Sequence, residues 1–477
     1  MSHKFHSSIL RAYDIRGVFN QTLFVEDAFF VGKAFASFLL KSGLKKIVIA
    51  YDGRVSSPDL KAELSRGLLE SGLEVIDIGV GPTPMLYFAV YHLNCVAGIM
   101  VTGSHNPKDH NGFKMTLADR PFYGDDILNL AKIALEGDFV SSNDGLFKEV
   151  DINEEYIERI LSDCILAESN SALLDEIDQF QPKKKLKIVW DAGNGATATL
   201  LKKITDRISA EHFLLFDELD GNFPNHHPDP TVIDNLIDLK QAIIKNNCDF
   251  GIAFDGDGDR IGVMDSEGEV LWGDKLMILF ARDVLANIDN RSKNTIIVDV
   301  KASSVLFNEI KKYGGTPIMW KTGHSLIKAK MKETKALLAG EMSGHIFFAD
   351  KYFGFDDALY SAIRLIDIIY KSPISLTQMR KEIPQTFSTP EVRIESSDGL
   401  KFKIIAELQQ KLKKQNIAFN DVDGIRAVNN DGWWLLRASN TQPVIVARCE
   451  SNSIEGLDRL KSNLSLMIAE FNLKINF

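Results

Sequence analysis

Short runs of β-branched and aliphatic residues that end in Asp or Gly recur along this chain, each followed by a stretch whose apolar residues fall three and four positions apart. That alternation is the pattern of βαβ units, and it predicts the α/β class with a largely parallel sheet. In the first third the runs are "KKIVIAYDGR", "EVIDIG" and "VAGIMVTGSHN". Between the first two, Leu60, Leu64 and Leu68 mark one helix face, with Ser57 predicted as N-cap and Pro58 as first helical residue. The middle third repeats the plan with "LKIVWDAGNG", "HFLLFDE" and "CDFGIAFDGDGDR". So does the next, with "NTIIVDVKAS", "GTPIMWKTGHS" and "ALLAGEMSGH"; Leu306 and Ile310 mark its first helix and Gly314 the stop.

From about residue 385 the pattern changes. "LKFKIIAELQQKLKKQ" reads as a helix, and "GIRAVNNDGWWLLRASNTQPVIVARCE" as antiparallel strands turning at "NNDG" and "RASNTQP". The expected organisation is three consecutive α/β domains of βαβ type, 1–150, 151–270 and 271–384, followed by an α+β domain, 385–477. Each α/β unit ends in a strand that runs into a polar, Gly-containing loop. Ligands of parallel sheets bind beyond the carboxyl ends of the strands, so the three loops are candidates to face one cleft.

Composition narrows the partners. Of 477 residues, 55 are Lys or Arg and 65 are Asp or Glu, a net charge of -10, which disfavours general attraction to nucleic acid or an anionic membrane. Cys95, Cys164, Cys248 and Cys449 are far apart and form no zinc spacing, which fits a reducing compartment, so a cytoplasmic location is expected. No signal-peptide core follows "MSHKFHSS", and no apolar run is long enough to span a membrane.

The loops carry the chemistry. "DGDGDR" sets Asp255, Asp257 and Asp259 at alternate positions with Gly256 and Gly258 between, an all-oxygen set suited to a hard cation such as Mg²⁺. An EF-hand would need Gly where Arg260 stands and Glu where Ser266 stands. Arg260 is placed to pair with an anion brought to the metal. "GEMSGH" offers Glu341, Ser343 and His345, able to grip hydroxyls and move a proton. "KTGHSLIK" puts His324 at a strand-to-helix turn, and "RASNTQP" offers Arg437, Ser439, Asn440 and Thr441 as phosphate donors. "VTGSHNPKDHNGFK" places Ser104 between Gly103 and His105, where it reads as nucleophile, metal ligand, phosphorylated residue or turn residue. "GNGATA", with Gly193, Gly195, Ala198 and Asp217 further on, fits a dinucleotide fingerprint and supports an NAD-dependent dehydrogenase as the rival reading. There is no P-loop, and no nucleophile elbow surrounds Ser104.

Taken in order, "TGSHNPKDHNGFK", "DGDGDR", "GEMSGH" and "RASNTQP", with "YDIRG" at 13–17 and "DGNFPNHHPDP" at 220–230, resemble the α-D-phosphohexomutase superfamily, and within it the bacterial phosphomannomutase/phosphoglucomutase group. The resemblance implies four domains around a central cleft, the last similar to the TATA-binding fold. It implies interconversion of hexose 1-phosphate and hexose 6-phosphate through a phosphoserine at Ser104 and a hexose 1,6-bisphosphate, which would also act as activator. Mg²⁺ would be held by Ser104, Asp255, Asp257 and Asp259. Arg16, His105, Lys114 and His345 would handle protons and charge near the transfer. Tyr13, Arg260, Lys301, His324, Glu341 and Ser343 would meet the sugar, and Arg437, Ser439, Asn440 and Thr441 the phosphate that is not transferred. Lys108 and Gln442 depart from the residues frequent at those positions. A phosphoglucosamine mutase and a non-catalytic phosphosugar sensor are the alternatives on the same motifs. A monomer or small homo-oligomer is expected.

Overall fold

The computed structural model describes residues 1–170, 185–288, 294–440 and 442–477. Its first three sheets share one plan. The strand Lys46–Tyr51 is central and pairs in parallel with Glu74–Val80 on one side and Ala97–Val101 on the other. Lys187–Asp191 stands likewise between Glu211–Leu215 and Phe250–Phe254, and Thr295–Asp299 between Thr316–Trp320 and Leu338–Gly340. Helices make the crossovers because their apolar stripes need a sheet face to cover. In Ser57–Leu69 it is Leu60, Leu64 and Leu68 that are fully buried, and in Ser304–Lys312 Leu306 and Ile310.

Two details differ from the expectation. Ser57 is the first helical residue rather than the cap, and Ser56 precedes the helix. The Ser57 hydroxyl is committed to Asp52 Oδ1 at 2.6 Å and so does not cap. The sheets, expected to be largely parallel, are also mixed. In each unit the third parallel strand turns back through the motif loop into an antiparallel strand: His110–Leu117, Ile261–Asp265 and Ile346–Phe348. Each motif loop is therefore the tip of a hairpin.

The fourth sheet is built on the antiparallel strands Ile425–Asn429, Gly432–Ala438 and Val444–Ser451. Helices Asp398–Lys414 and Ile454–Ala469 cover it, burying Ile404, Leu408, Leu412, Leu460, Leu464 and Ile468. This domain has a core of its own. The largest core cluster, by contrast, runs without a break through the first three domains, from Met85 and Tyr156 through Trp190 to Ile296 and Tyr360. Among the described residues no helix is long and apolar enough to cross a membrane.

Candidate active site

The three hairpin tips are stacked on one another by close backbone contact. A Cβ on Gly256 would fall 2.4 Å from the Ser104 carbonyl oxygen, and one on Gly344, whose φ is +92°, 2.4 Å from the Ile261 carbonyl oxygen. These glycines let the serine loop meet the metal loop and the metal loop meet the "GEMSGH" loop. The first unit also caps the second: Thr83 donates its N–H to the Asp257 carbonyl (2.8 Å) and its hydroxyl to Asp257 Oδ2 (2.5 Å).

Ser104 sits at the tip with φ of +49°, a sparsely populated region for a residue with a side chain, and is 2% exposed. Its Oγ donates to Asp255 Oδ2 at 3.0 Å and lies 3.3 Å from His105 Nδ1. Burial and the Arg260 and Arg16 cations hold the His105 imidazole well below its usual range, so it is neutral beside the serine. What fixes the loop is Arg54, which the sequence reading did not single out. Its Nη1 donates to the Pro107 and His110 carbonyls at 2.6 and 2.9 Å, its Nη2 to those of Ser104 and Asn106 at 2.6 and 2.7 Å, and its Nε to Asp52 at 3.2 Å. The position of "YDGR" beyond the carboxyl end of the first central strand was the available signal. Arg16 adds Nη1 bonds to Gly103 O (3.3 Å) and Asn106 Oδ1 (3.1 Å) and pairs with Asp14.

Asp255, Asp257 and Asp259 are all fully buried. Asp255 Oδ1 accepts from the N–H groups of Asp259 and Arg260 at 3.0 and 3.1 Å, folding the loop so that the carboxylates converge. Burial, then repulsion from Asp259 and Asp257, pushes the Asp255 carboxyl well above its usual range. Lys114, from the return strand, donates its Nζ to Asp257 Oδ2 at 2.7 Å and to Asp259 Oδ2. Burial works against the ammonium, yet the two carboxylates outweigh it and keep Lys114 charged. Asp257 Oδ1, fully buried, accepts no hydrogen bond, and beside Asp259 Oδ1 stands only His345 Nε2, 3.2 Å away. Carboxylate oxygens of the three aspartates lie within 4.8 Å of one another. Unmet lone pairs on a converging all-oxygen set fit a hard divalent cation.

The third tip places His345 with Nδ1 2.7 Å from Glu341 Oε2 and Nε2 3.2 Å from Asp259 Oδ1. Burial opposes protonation and Asp259 favours it, leaving the imidazole raised to about 9. Glu341 Oε1 accepts from the Gly323 N–H at 2.6 Å; burial works against its charge, and the His345 contact brings it down to about 2. Ser343 Oγ lies 3.2 Å from His345 Nδ1. The His324 ring stacks 5.9 Å from that of His345, with its Nδ1 3.7 Å from Asp356 Oδ2. Lys301 pairs with Glu391 at 3.0 Å, a partner the sequence reading missed.

The first and fourth domains meet at Tyr13. Its hydroxyl donates to the Thr322 carbonyl at 2.8 Å and accepts from Asn440 Nδ2 at 2.6 Å. Asp423 accepts from Arg437 Nε at 2.9 Å and from the Thr322 N–H at 3.1 Å. Ser439 Oγ accepts from the Gln442 N–H at 3.1 Å. Thr441 lies outside the described residues. The expected site residues that are described thus draw together from all four domains.

"GNGATA" turns out to serve that assembly. A Cβ on Gly195 would meet the Gly256 carbonyl oxygen at 2.9 Å, and the Ala196 N–H donates to that same oxygen at 2.9 Å. The metal loop fills the place where a dinucleotide's pyrophosphate would lie.

Four family models match the chain in order: phosphoglucomutase/phosphomannomutase alpha/beta/alpha domains I, II and III at 7–140, 154–268 and 272–387, and the C-terminal domain at 391–466. A phosphomannomutase/phosphoglucomutase of Pseudomonas syringae pv. tomato is 42% identical over 454 residues, covering 95% of this chain and 93% of the relative. A phosphoglucomutase of Neisseria gonorrhoeae is 40% identical over 464 residues, 96% of each. A crystal structure of a phosphoglucomutase/phosphomannomutase family protein from Burkholderia thailandensis superposes with TM-score 0.89 at 38% identity, covering 99% of this chain and 100% of that one. With four domains matched in order and likeness along nearly the full length, the chain belongs to the phosphoglucomutase/phosphomannomutase family.

Proposed function

We propose that this protein is a phosphohexomutase that interconverts hexose 1-phosphate and hexose 6-phosphate, with mannose or glucose as the sugar. The observation that carries the reading is the Ser104 hydroxyl, buried at a strained loop tip 3.0 Å from Asp255 Oδ2, beside the buried Asp259 and the buried Asp257, whose Oδ1 accepts no hydrogen bond. Asp255, Asp257, Asp259 and a phosphorylated Ser104 would hold Mg²⁺. When bound, it supplies positive charge against the charge spread over a transferring phosphoryl group.

In the first half-reaction the Oγ–P bond of phosphorylated Ser104 breaks and an O–P bond forms to the free hydroxyl of the sugar phosphate, whose proton departs. The 1,6-bisphosphate so formed turns over, and its other phosphate returns to Ser104 as the freed sugar hydroxyl regains a proton. Lys114, Arg16 and Arg260 offset charge around the transfer. His345, held between Glu341 and Asp259 at the loop tip, is placed to exchange a proton with a reacting oxygen. Glu341 and Ser343 bind sugar hydroxyls, and Arg437, Ser439 and Asn440 bind the idle phosphate. Hexose 1,6-bisphosphate serves as activator by phosphorylating Ser104. Comparing turnover of mannose, glucose and glucosamine 1-phosphates tests the reading: preference for the amino sugar would move the assignment to a phosphoglucosamine mutase, and no turnover of any would leave a sensor.

A further inference from the structure

The segment "DGNFPNHHPDP" has no part in the transfer described above, yet it touches the metal loop and the arginine that holds the serine loop. It follows the strand Glu211–Leu215 and crosses to the first domain, where Gly221 approaches so closely that a Cβ would fall 2.4 Å from the Gly53 carbonyl oxygen and 2.6 Å from Arg54 Cα. Phe223 comes next, its ring 5.2 Å from the guanidinium carbon of Arg54. That guanidinium is the group holding the carbonyls of the serine loop. Phe223 has φ of +50°, costly for a bulky side chain and kept where the surroundings over-determine it. The segment then returns to the second domain. Pro228 is buried with its Cγ 3.4 Å from the place a Gly256 Cβ would take, and Pro230 stands 2.7 Å from that of Gly262 on the return strand.

Between these contacts His226 fastens the segment to the second sheet. Its Nε2 lies 3.1 Å from both oxygens of Asp191, which is fully buried at the end of Lys187–Asp191, and its Nδ1 lies 3.0 Å from the His227 carbonyl. Both ring nitrogens face acceptors, so the ring serves as a double donor. Asn225 Nδ2 and the Asp220 N–H add bonds to Asn194, at 2.7 and 3.1 Å, in the Gly-Asn-Gly turn that seats the metal loop.

We propose that residues 220–230 form a strap that sets the phosphoserine loop against the metal loop, with His226, through Asp191, as its positioning residue. The inference rests on the mutase reading for the roles of those two loops. It is tested on the full chain by calorimetric titration of Mg²⁺, steady-state turnover of glucose 1-phosphate and thermal unfolding, in wild type, His226→Ala, His226→Gln and Phe223→Leu. His226→Ala is expected to raise the Mg²⁺ Kd and lower kcat by about 10-fold each, the size of one lost charge-assisted hydrogen bond, with KM for the hexose phosphate close to wild type. His226→Gln, which can still donate to Asp191, should recover part of both. Phe223→Leu removes the ring beneath Arg54 and should lower kcat with little change in Tm.

A His226→Ala protein with wild-type Mg²⁺ Kd and kcat overturns the proposal. So does one in which Kd, kcat, KM and Tm all worsen together and His226→Gln recovers none of them, since that is general destabilisation. Should His226→Ala fail to fold, Phe223→Leu decides, and an unchanged kcat overturns the strap. If wild type turns over no hexose phosphate, the mutase reading fails while the Mg²⁺ titration still decides the strap.

Discussion

The Ser104 hydroxyl and Asp255 Oδ2 lie 3.0 Å apart although 151 positions of chain separate the two residues. Nothing local makes that contact. It exists because Arg54 fixes the serine loop, Gly256 leaves room for the Ser104 carbonyl, and Thr83 ties the metal loop to the first domain. The expected consequence is that Ser104 accepts a phosphoryl group at this place. Intact mass spectrometry after incubation with hexose 1,6-bisphosphate should show one added phosphate on wild type and none on Ser104→Ala. Equal phosphorylation of the variant would remove Ser104 from the mechanism.

Lys114 neutralises part of a buried carboxylate cluster, so its removal should cost stability as well as activity. Leaving charges buried without their partner typically costs about 3–5 kcal/mol. Lys114→Met should therefore melt well below wild type in chelator, and added Mg²⁺ should narrow the gap by supplying the missing positive charge. Equal melting temperatures in chelator would show that the carboxylates do not depend on the ammonium.

The Lys301 ammonium beside Glu391, acting against the cost of burial, holds that carboxyl down to about 2. A depressed carboxyl stabilises the fold above its unfolded pKa of about 4.3, and the contribution is lost as pH falls through the folded value of about 2. Glu391→Gln should thus lower Tm by a constant amount near neutrality, and the difference should shrink between about pH 5 and pH 2. A difference that does not change over that range would rule out the charge as its source.

Arg437 is buried with its Nε edge on Asp423, which also accepts from the Thr322 N–H beside the Tyr13–Asn440 contact. A charge-assisted bond from a guanidinium to phosphate contributes roughly 1.5–3 kcal/mol, about 10- to 150-fold in affinity. Arg437→Ala should raise KM by a factor in that range and release more bisphosphate per turnover, followed with labelled substrate. Phosphorylation of Ser104 by excess bisphosphate should survive. Unchanged KM and retention would reduce "RASNTQP" to a turn.

The sequence by itself determined the βαβ order, the helix faces and the loops that carry chemistry. Leu60, Leu64 and Leu68, or Leu306 and Ile310, are spaced by helix geometry, and that periodicity is local. "DGDGDR" and "TGSHNP" were legible for a similar reason: chemistry of this kind needs certain residue types within a few positions of one another.

Only the tertiary structure decided which strands turn back and what holds the loops together. The return strand His110–Leu117 is almost wholly buried yet carries the polar Asn111 and Lys114, which break the apolar run that would have announced it. Ser57 matched the cap pattern, but Asp52 at the end of the preceding strand claims its hydroxyl. "GNGATA" has the form of a phosphate turn; whether such a turn receives a ligand or a neighbouring loop depends on the partner that packs there, here Gly256. Arg54 and His226 act on partners far along the chain within their own domains, and Thr83 across a contact that closes only when two domains meet. Spacing along the chain records local periodicity, whereas these contacts are set by close packing between elements far apart in sequence.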